Sequence, residues 1–169
     1  GDRIAAETHI PCGRCFLCRT GAQYNCQNVR RFKNGVYAEY ALIPEFSAEK
    51  IPANLPYEMA ALFEPFGVAV HAASYVRMVG DTVAVIGAGP IGLFCILMAK
   101  VMGASAVFVS DPSDYRLSLA ERAGADYLLN PTQGDVVGKV KELTDGLGTG
   151  IVFETSGNVR GAKQGFEML

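Results

Sequence analysis

The sequence predicts an α/β fold, a parallel sheet with helices between its strands, preceded by a smaller β-rich part. Three observations predict it. From about residue 80 onward, short β-rich runs alternate with helical runs, the grammar of parallel strands joined by right-handed crossovers. A glycine-rich hexapeptide, Gly87-Ala88-Gly89-Pro90-Ile91-Gly92, joins the first of those strands to the first of those helices. Ahead of that region lie four closely spaced cysteines, Cys12, Cys15, Cys18 and Cys26.

The first half begins in strand-like sequence over Asp2–Glu7 and runs into the cysteine loop. Val36–Ile43 alternates as a strand, with Tyr37, Glu39 and Ala41 on one side. Pro44, Pro52 and Pro56 punctuate short extended pieces. A helix is expected over Pro65–Val79, with Pro65 in its first turn and Gly80 just beyond its end. In the second half Thr82–Ile86, Ala106–Ser110, Tyr127–Leu129 and Ile151–Phe153 read as strands. Ile91–Met102, Ser113–Ala123, Val136–Leu143 and Arg160–Leu169 read as the helices between and after them. The change of grammar places a domain boundary between residues 1–79 and 80–169, and the chain reads as an internal segment of a longer protein.

Composition narrows the function. The chain has 169 residues, half of them apolar, and its 19 glycines suit many tight turns. Fifteen basic against seventeen acidic residues, with no like-charge run beyond Arg30-Arg31, leave no electrostatic footprint for nucleic acid or an anionic membrane. The opening Gly1-Asp2-Arg3 has no apolar stretch of a signal peptide, so a reducing, cytoplasmic compartment is expected. Val83–Ala99 is apolar, but Gly87, Gly89, Pro90 and Gly92 break it into strand, turn and helix.

The cysteines follow C-x2-C-x2-C-x7-C, with Pro11, Gly13 and Gly21 supplying turns. Four thiolates with no histidine describe a closed, structural zinc site. Ferredoxins share C-x2-C-x2-C but place the fourth cysteine closer and follow it with proline, whereas Gln27 follows here. A disulfide is the bland alternative, and C-x2-C pairs suit it poorly. Cys95 sits in an apolar helical run and reads as core. His9 reads as a turn residue and His71 as a packed helical histidine.

The hexapeptide is G-x-G-x-x-G between strand and helix, the context a Rossmann-type dinucleotide site requires. Gly87 makes the turn, Gly89 admits the pyrophosphate and Gly92 lets helix and strand pack closely; Pro90 and Ile91 complete the set. Asp111, at the end of the second strand, would accept from the adenosine ribose hydroxyls and repel a 2′-phosphate, which selects NAD over NADP. Arg116 is placed to cover the adenine or pair with Asp111. Glu64 stands alone in an apolar run, where a carboxylate must cap the helix at Pro65, pair with a base or bind metal.

Taken in order, the cysteine loop, Gly35–Tyr40, Phe63–His71 and the glycine turn resemble the zinc-containing medium-chain alcohol dehydrogenases, over essentially the whole chain. The resemblance implies that residues 1–79 are the C-terminal part of a GroES-like catalytic domain and 80–169 a truncated NAD-binding domain. It implies that Cys12, Cys15, Cys18 and Cys26 hold a structural zinc and that Glu64 ligates or adjoins a catalytic one. Thr155, Ser156 and Gly157 would approach the nicotinamide. It further implies a homo-oligomer, a tetramer, acting on a secondary alcohol, with threonine expected first and a polyol such as sorbitol second. The family's other catalytic-zinc ligands have no counterpart here, so the segment alone is expected to be inactive. The stretch from Asn28 to Gly35 is shorter than in the threonine-oxidising members. A non-catalytic zinc module joined to a nucleotide-binding domain is the rival reading.

Overall fold

The computed structural model describes residues 1–7, 9–29, 31–32 and 35–169, with Arg31 and Phe32 described by backbone alone. The expected shortening between Asn28 and Gly35 and the Arg30-Arg31 pair fall partly outside the described residues. The chain divides into two compact units, Gly1–Glu64 and Pro65–Leu169.

In the first unit, β1 (Ile4–Ala6) pairs antiparallel with β4 (Ala48–Lys50), and β2 (His9–Ile10) with β3 (Arg31–Phe32). His9 therefore belongs to a strand, opposite Phe32, and not to a turn. Two short helices, α1 (Phe16–Arg19) and α2 (Tyr57–Ala60), complete the unit with the start of α3 (Phe63–Ser74). The strand expected over Val36–Ile43 does not form; residues 37–39 are bends. A strand needs partners for its backbone N–H and C=O groups. None of the described strands lies beside this one, and Tyr37, Tyr40 and Leu42 stand exposed.

The second unit is built on a four-stranded parallel sheet of order β7-β6-β5-β8, comprising β5 (Thr82–Ile86), β6 (Ala106–Ser110), β7 (Tyr127–Leu129) and β8 (Ile151–Glu154). The helices α4 (Pro90–Val101), α5 (Asp114–Arg122), α6 (Val136–Leu143) and α7 (Val159–Met168) follow their strands within a residue or two of expectation. β-Strand alternation sorts the core into two layers. Val83, Val85, Val107 and Val109 pack with Cys95, Ile96, Ala99 and Leu117 on the α4–α5 side. Ala84, Ile86 and Phe108 pack with Val136, Val140 and Met168 on the α6–α7 side. α3 joins the first layer through Ala69 and Ala73. It ends at Ser74, short of the expected Val79, because the Ser74 hydroxyl donates to the His71 carbonyl (2.7 Å) and Met78 leaves the helix to bury itself fully. No helix among the described residues is long and apolar enough to cross a membrane.

Candidate functional site

The cysteine loop closes on itself. α1 starts directly after Cys15 and carries Cys18 on its single turn, while a 3₁₀ turn over Gln23–Asn25 delivers Cys26 from the other side. The four Sγ atoms all lie within 4.8 Å of one another. Individual separations are 3.5 Å (Cys15–Cys18) and 3.9 Å (Cys12–Cys18 and Cys15–Cys26). A tetrahedron with Zn–S bonds of 2.3 Å spaces its sulfurs by about 3.8 Å, so the donor set fits one zinc ion. All four thiols are unbonded to each other, and an iron–sulfur cube would need them further apart. Among the described residues this is the one group of His, Cys, Asp and Glu side chains with metal-holding geometry.

The backbone is arranged for thiolates. The Cys12 N–H donates to Cys26 Sγ and the Cys15 N–H to Cys12 Sγ, both at 3.3 Å. N–H groups of Arg14 and Cys15 hold the Cys12 thiol down at about 6, and the Cys18 N–H lowers Cys15. Cys18 is pushed up to about 12 by burial and by hydrogen bonding to its neighbouring sulfurs, Cys15 first. Four sulfurs so close cannot all ionise without a cation among them, which is the chemistry a dication supplies.

The second site lies at the carboxyl ends of the strands. In the order β7-β6-β5-β8 the chain reverses direction of growth between β5 and β8, where α/β sheets open a ligand crevice. A cavity of about 330 Å³ lies there, lined by Gly87, Gly89, Asp111, Arg116 and Ser156 among others. Gly87 takes φ +94°, which only glycine adopts readily, and a Cβ there would stand 2.8 Å from the Ser156 nitrogen. Gly92 is absent from the lining and works by packing, since a Cβ would overlap the Gly87 carbonyl oxygen. Pro90 is the first residue of α4, and Ile91 packs against the core; neither lines the cavity.

The glycine turn is clamped from both sides. Asp111, whose side chain is 2% exposed, accepts from the Ala88 N–H (2.9 Å) through Oδ2 and from the Ser113 N–H (2.8 Å) through Oδ1. A carboxylate has about four acceptor positions, so capacity remains for ribose hydroxyls. Arg116 reaches Oδ2 at 3.7 Å, the pairing expected of it. Just after β8, the Thr155 hydroxyl donates to the carbonyls of Ile86 (3.0 Å) and Gly87 (2.8 Å). Glu154 accepts from both the Ser156 N–H (2.9 Å) and the Ser156 hydroxyl (2.5 Å), which fixes the turn after β8.

α3 begins at Phe63, two residues before Pro65, so Glu64 is the second residue of the helix and not its cap, and it is exposed. Phe63, Phe66 and Val68 around it are exposed as well. It lines a second cavity of about 420 Å³ with Glu7, Glu49 and Tyr57. His71 is exposed and meets Tyr75 edge-on at 5.0 Å, so it is not packed inside. Cys95 is buried as expected. Thr155's clamp and the presence of Arg160 and Gln164 in the first cavity were not read from the sequence. Their i, i+4 spacing beside Gly161 and Gly165, small residues that sit on the sheet, was the available signal.

A chain with a closed four-sulfur metal loop and a glycine-turn nucleotide crevice has the two defining parts of a zinc-type dehydrogenase. Residues 1–53 match the model of the alcohol dehydrogenase GroES-like domain and residues 90–169 that of the zinc-binding dehydrogenases. The chain belongs to the zinc-containing medium-chain alcohol dehydrogenase family. It is 44% identical to an L-threonine 3-dehydrogenase of Pyrococcus furiosus, over all of this chain and 49% of that protein. It is 38% identical to the same enzyme of Chromobacterium violaceum, over all of this chain and 50% of that one. Among solved structures, an Escherichia coli oxidoreductase of unknown specificity superposes with a TM-score of 0.92 at 32% identity, covering 100% of this chain and 50% of that one. A zinc-binding dehydrogenase of Sinorhizobium meliloti bound to NADP gives 0.88 at 34%, covering 99% and 51%. The chain thus spans about half the length of the relatives it matches.

Proposed function

We propose that this chain is part of an NAD-dependent zinc dehydrogenase that oxidises a secondary alcohol, with L-threonine as its first substrate. The observation that carries the reading is Asp111, a buried carboxylate facing the cavity beside the glycine turn. Its charge accepts ribose hydroxyls and repels a 2′-phosphate, which favours NAD. The names of the relatives at 38% to 44% identity support threonine; a polyol such as sorbitol is the second candidate. Residues 1–79 would belong to the catalytic domain and 80–169 to the cofactor domain. A small-molecule alcohol, a homotetramer and a cytoplasmic setting complete the proposal.

Cys12, Cys15, Cys18 and Cys26 would hold a zinc that shapes the loop and takes no part in the reaction. A second zinc, once bound, would supply Lewis-acid polarisation of the alcohol oxygen. Glu64 would stand at or beside it, in the first turn of α3 where the helix N-terminus favours a carboxylate. Gly87 and Gly89 would bring backbone against the pyrophosphate at the N-terminus of α4. Asp111 and Arg116 would orient the adenosine ribose, and the turn at Ser156, fixed by Glu154, would face the nicotinamide half. Pro90 and Ile91 would shape the start of α4. Since Glu64 belongs to no group of three or more metal-ligating side chains among the described residues, the 169-residue chain should bind NAD at most weakly and without turnover.

The test is NADH formation by the full-length protein on a panel of L-threonine, sorbitol and simple alcohols. Threonine should give the highest kcat/KM; a polyol ahead of it would move the substrate assignment. Turnover by the 169-residue chain itself would overturn the part played by residues beyond it.

A further inference from the structure

A dinucleotide laid along the first cavity has a fixed order. With its pyrophosphate over Gly87 and Gly89 and its adenosine ribose at Asp111, the adenine lies beyond Asp111, away from the glycine turn. One side of that end is Pro112 and Thr132, from the loops that follow β6 and β7, with Arg116 from the first turn of α5. The other side is α7, which contributes Arg160 and Gln164. These two residues are four apart and so occupy one helix face. The neighbouring face of α7 is glycine, and it lies close on the sheet. A Cβ at Gly165 would stand 3.0 Å from Val152 Cγ1 and 3.3 Å from Ile86 Cδ1. That close seat holds the Gln164 side chain at the cavity wall.

Gln164 is half-buried there, and its amide has no hydrogen-bond partner among the described residues. A half-buried amide facing a cavity offers one acceptor and two donors to whatever enters. Adenine presents the complement on one edge, a 6-amino donor beside a ring-nitrogen acceptor. We propose that Gln164 reads the adenine edge of the cofactor, its amide oxygen accepting from the 6-amino group and its amide nitrogen donating to N1. This deepens the NAD reading above and rests on it. Neither the glycine turn nor Asp111 distinguishes one nucleobase from another, so the discrimination falls to α7.

The test compares NADH with its 1,N6-etheno derivative, whose extra ring blocks both the 6-amino group and N1. Affinities are read by nicotinamide fluorescence for the full-length wild-type protein, Gln164→Met and Arg160→Gln. Methionine keeps the length and shape of glutamine but carries no donor or strong acceptor, so steric effects of the extra ring are common to both proteins. The wild type should prefer NADH, and Gln164→Met should weaken NADH binding about tenfold while leaving the etheno form nearly unchanged. Arg160→Gln should weaken both ligands by the same factor, because a guanidinium over the base acts on its face and charge and not its edge. An unchanged NADH-to-etheno ratio in Gln164→Met would overturn the proposal while leaving the cofactor reading standing. Failure of the wild type to bind either dinucleotide would overturn the cofactor reading itself.

Discussion

Gly1–Glu64 and Pro65–Leu169 differ in what holds them together. Both apolar clusters lie wholly in the second unit, from Ala69 to Met168, with the sheet covered on both faces. Among the described residues, the buried apolar ones of the first unit are Ile10, Ile51, Ala60 and two of the cysteines, Cys12 and Cys26. A segment that small buries too little apolar surface to offset its chain entropy, and metals or disulfides commonly make up the difference. The lesson is that the cysteines serve the first unit as the valines of β5 and β6 serve the second. Their chemistry is structural in the same sense.

The largest expected effect breaks that comparison directly. Structural zinc in small modules contributes about 10–16 kcal/mol of apparent binding free energy. Treating the zinc-loaded protein with a chelator at neutral pH should abolish amide-exchange protection across Ile10–Cys26 while β5 and β6 stay protected. Cys26→Ser should do the same without chelator. Metal analysis should find one zinc per cysteine loop. Protection lost together in both units would show that the second depends on the first, and iron in the loop would remove the zinc assignment.

Within the second unit, two glycines of one motif should separate stability from binding. Gly92→Ala forces a methyl into the Gly87 carbonyl and within 2.9 Å of the Thr155 hydroxyl oxygen. Overpacking of that kind costs about 1–3 kcal/mol, which a urea midpoint measures. Gly89 has φ −73° and nothing within 4 Å of an added Cβ, so alanine fits the empty protein. That methyl would instead stand where the pyrophosphate approaches. Gly89→Ala should leave the urea midpoint nearly unchanged and weaken NADH binding more than tenfold. Equal losses of stability in the two variants would contradict the division of labour.

Much of this was legible in the sequence because local chemistry decides it. The cysteine spacing, the strand–turn–helix setting of Gly87–Gly92 and the carboxylate ending β6 each depend on neighbours in sequence. Thr82–Ile86 and Ala106–Ser110 read as buried strands because helices cover both faces of their sheet. Val36–Ile43 misled because alternation reports a wish for two environments and not the presence of a partner strand. The cap read at Glu64 was displaced because α3 starts at Phe63, two residues before the proline that marked its first turn. The Thr155 clamp and the Gln164 wall were invisible because they depend on β8 arriving beside β5 across a long stretch of chain.

Asp111 ties the turn's stability to cofactor choice, so one substitution should move both. Asp111→Ser removes the acceptors of the Ala88 and Ser113 N–H groups, at a cost of about 1–3 kcal/mol in the urea midpoint. It should also lower the NAD-to-NADP affinity ratio at least tenfold, because Arg116 is left free to meet a 2′-phosphate. A protein that prefers NADP before the substitution would remove the ribose role from Asp111 and leave the clamp.

The smallest expected effect contrasts the one cysteine of the second unit with the four of the first. Cys95 is 1% exposed on α4, and burial alone pushes its thiol up to about 11 from the ordinary 9.0. The folded state therefore keeps this thiol protonated where the unfolded chain begins to ionise it. Unfolding then releases a proton above pH 9, so stability from this group is fully present below pH 9 and is lost as the pH rises through 11. Lysines and tyrosines titrate in the same window, so the measurement is the difference between wild type and Cys95→Ala in urea unfolding of the second unit. The wild type should be the more stable at pH 8, through packing of the sulfur, and its advantage should shrink steadily toward pH 11. A constant gap would mean that Cys95 is reached by water in the folded state, contrary to its place against Ile96 and Val83 in the α4–α5 layer.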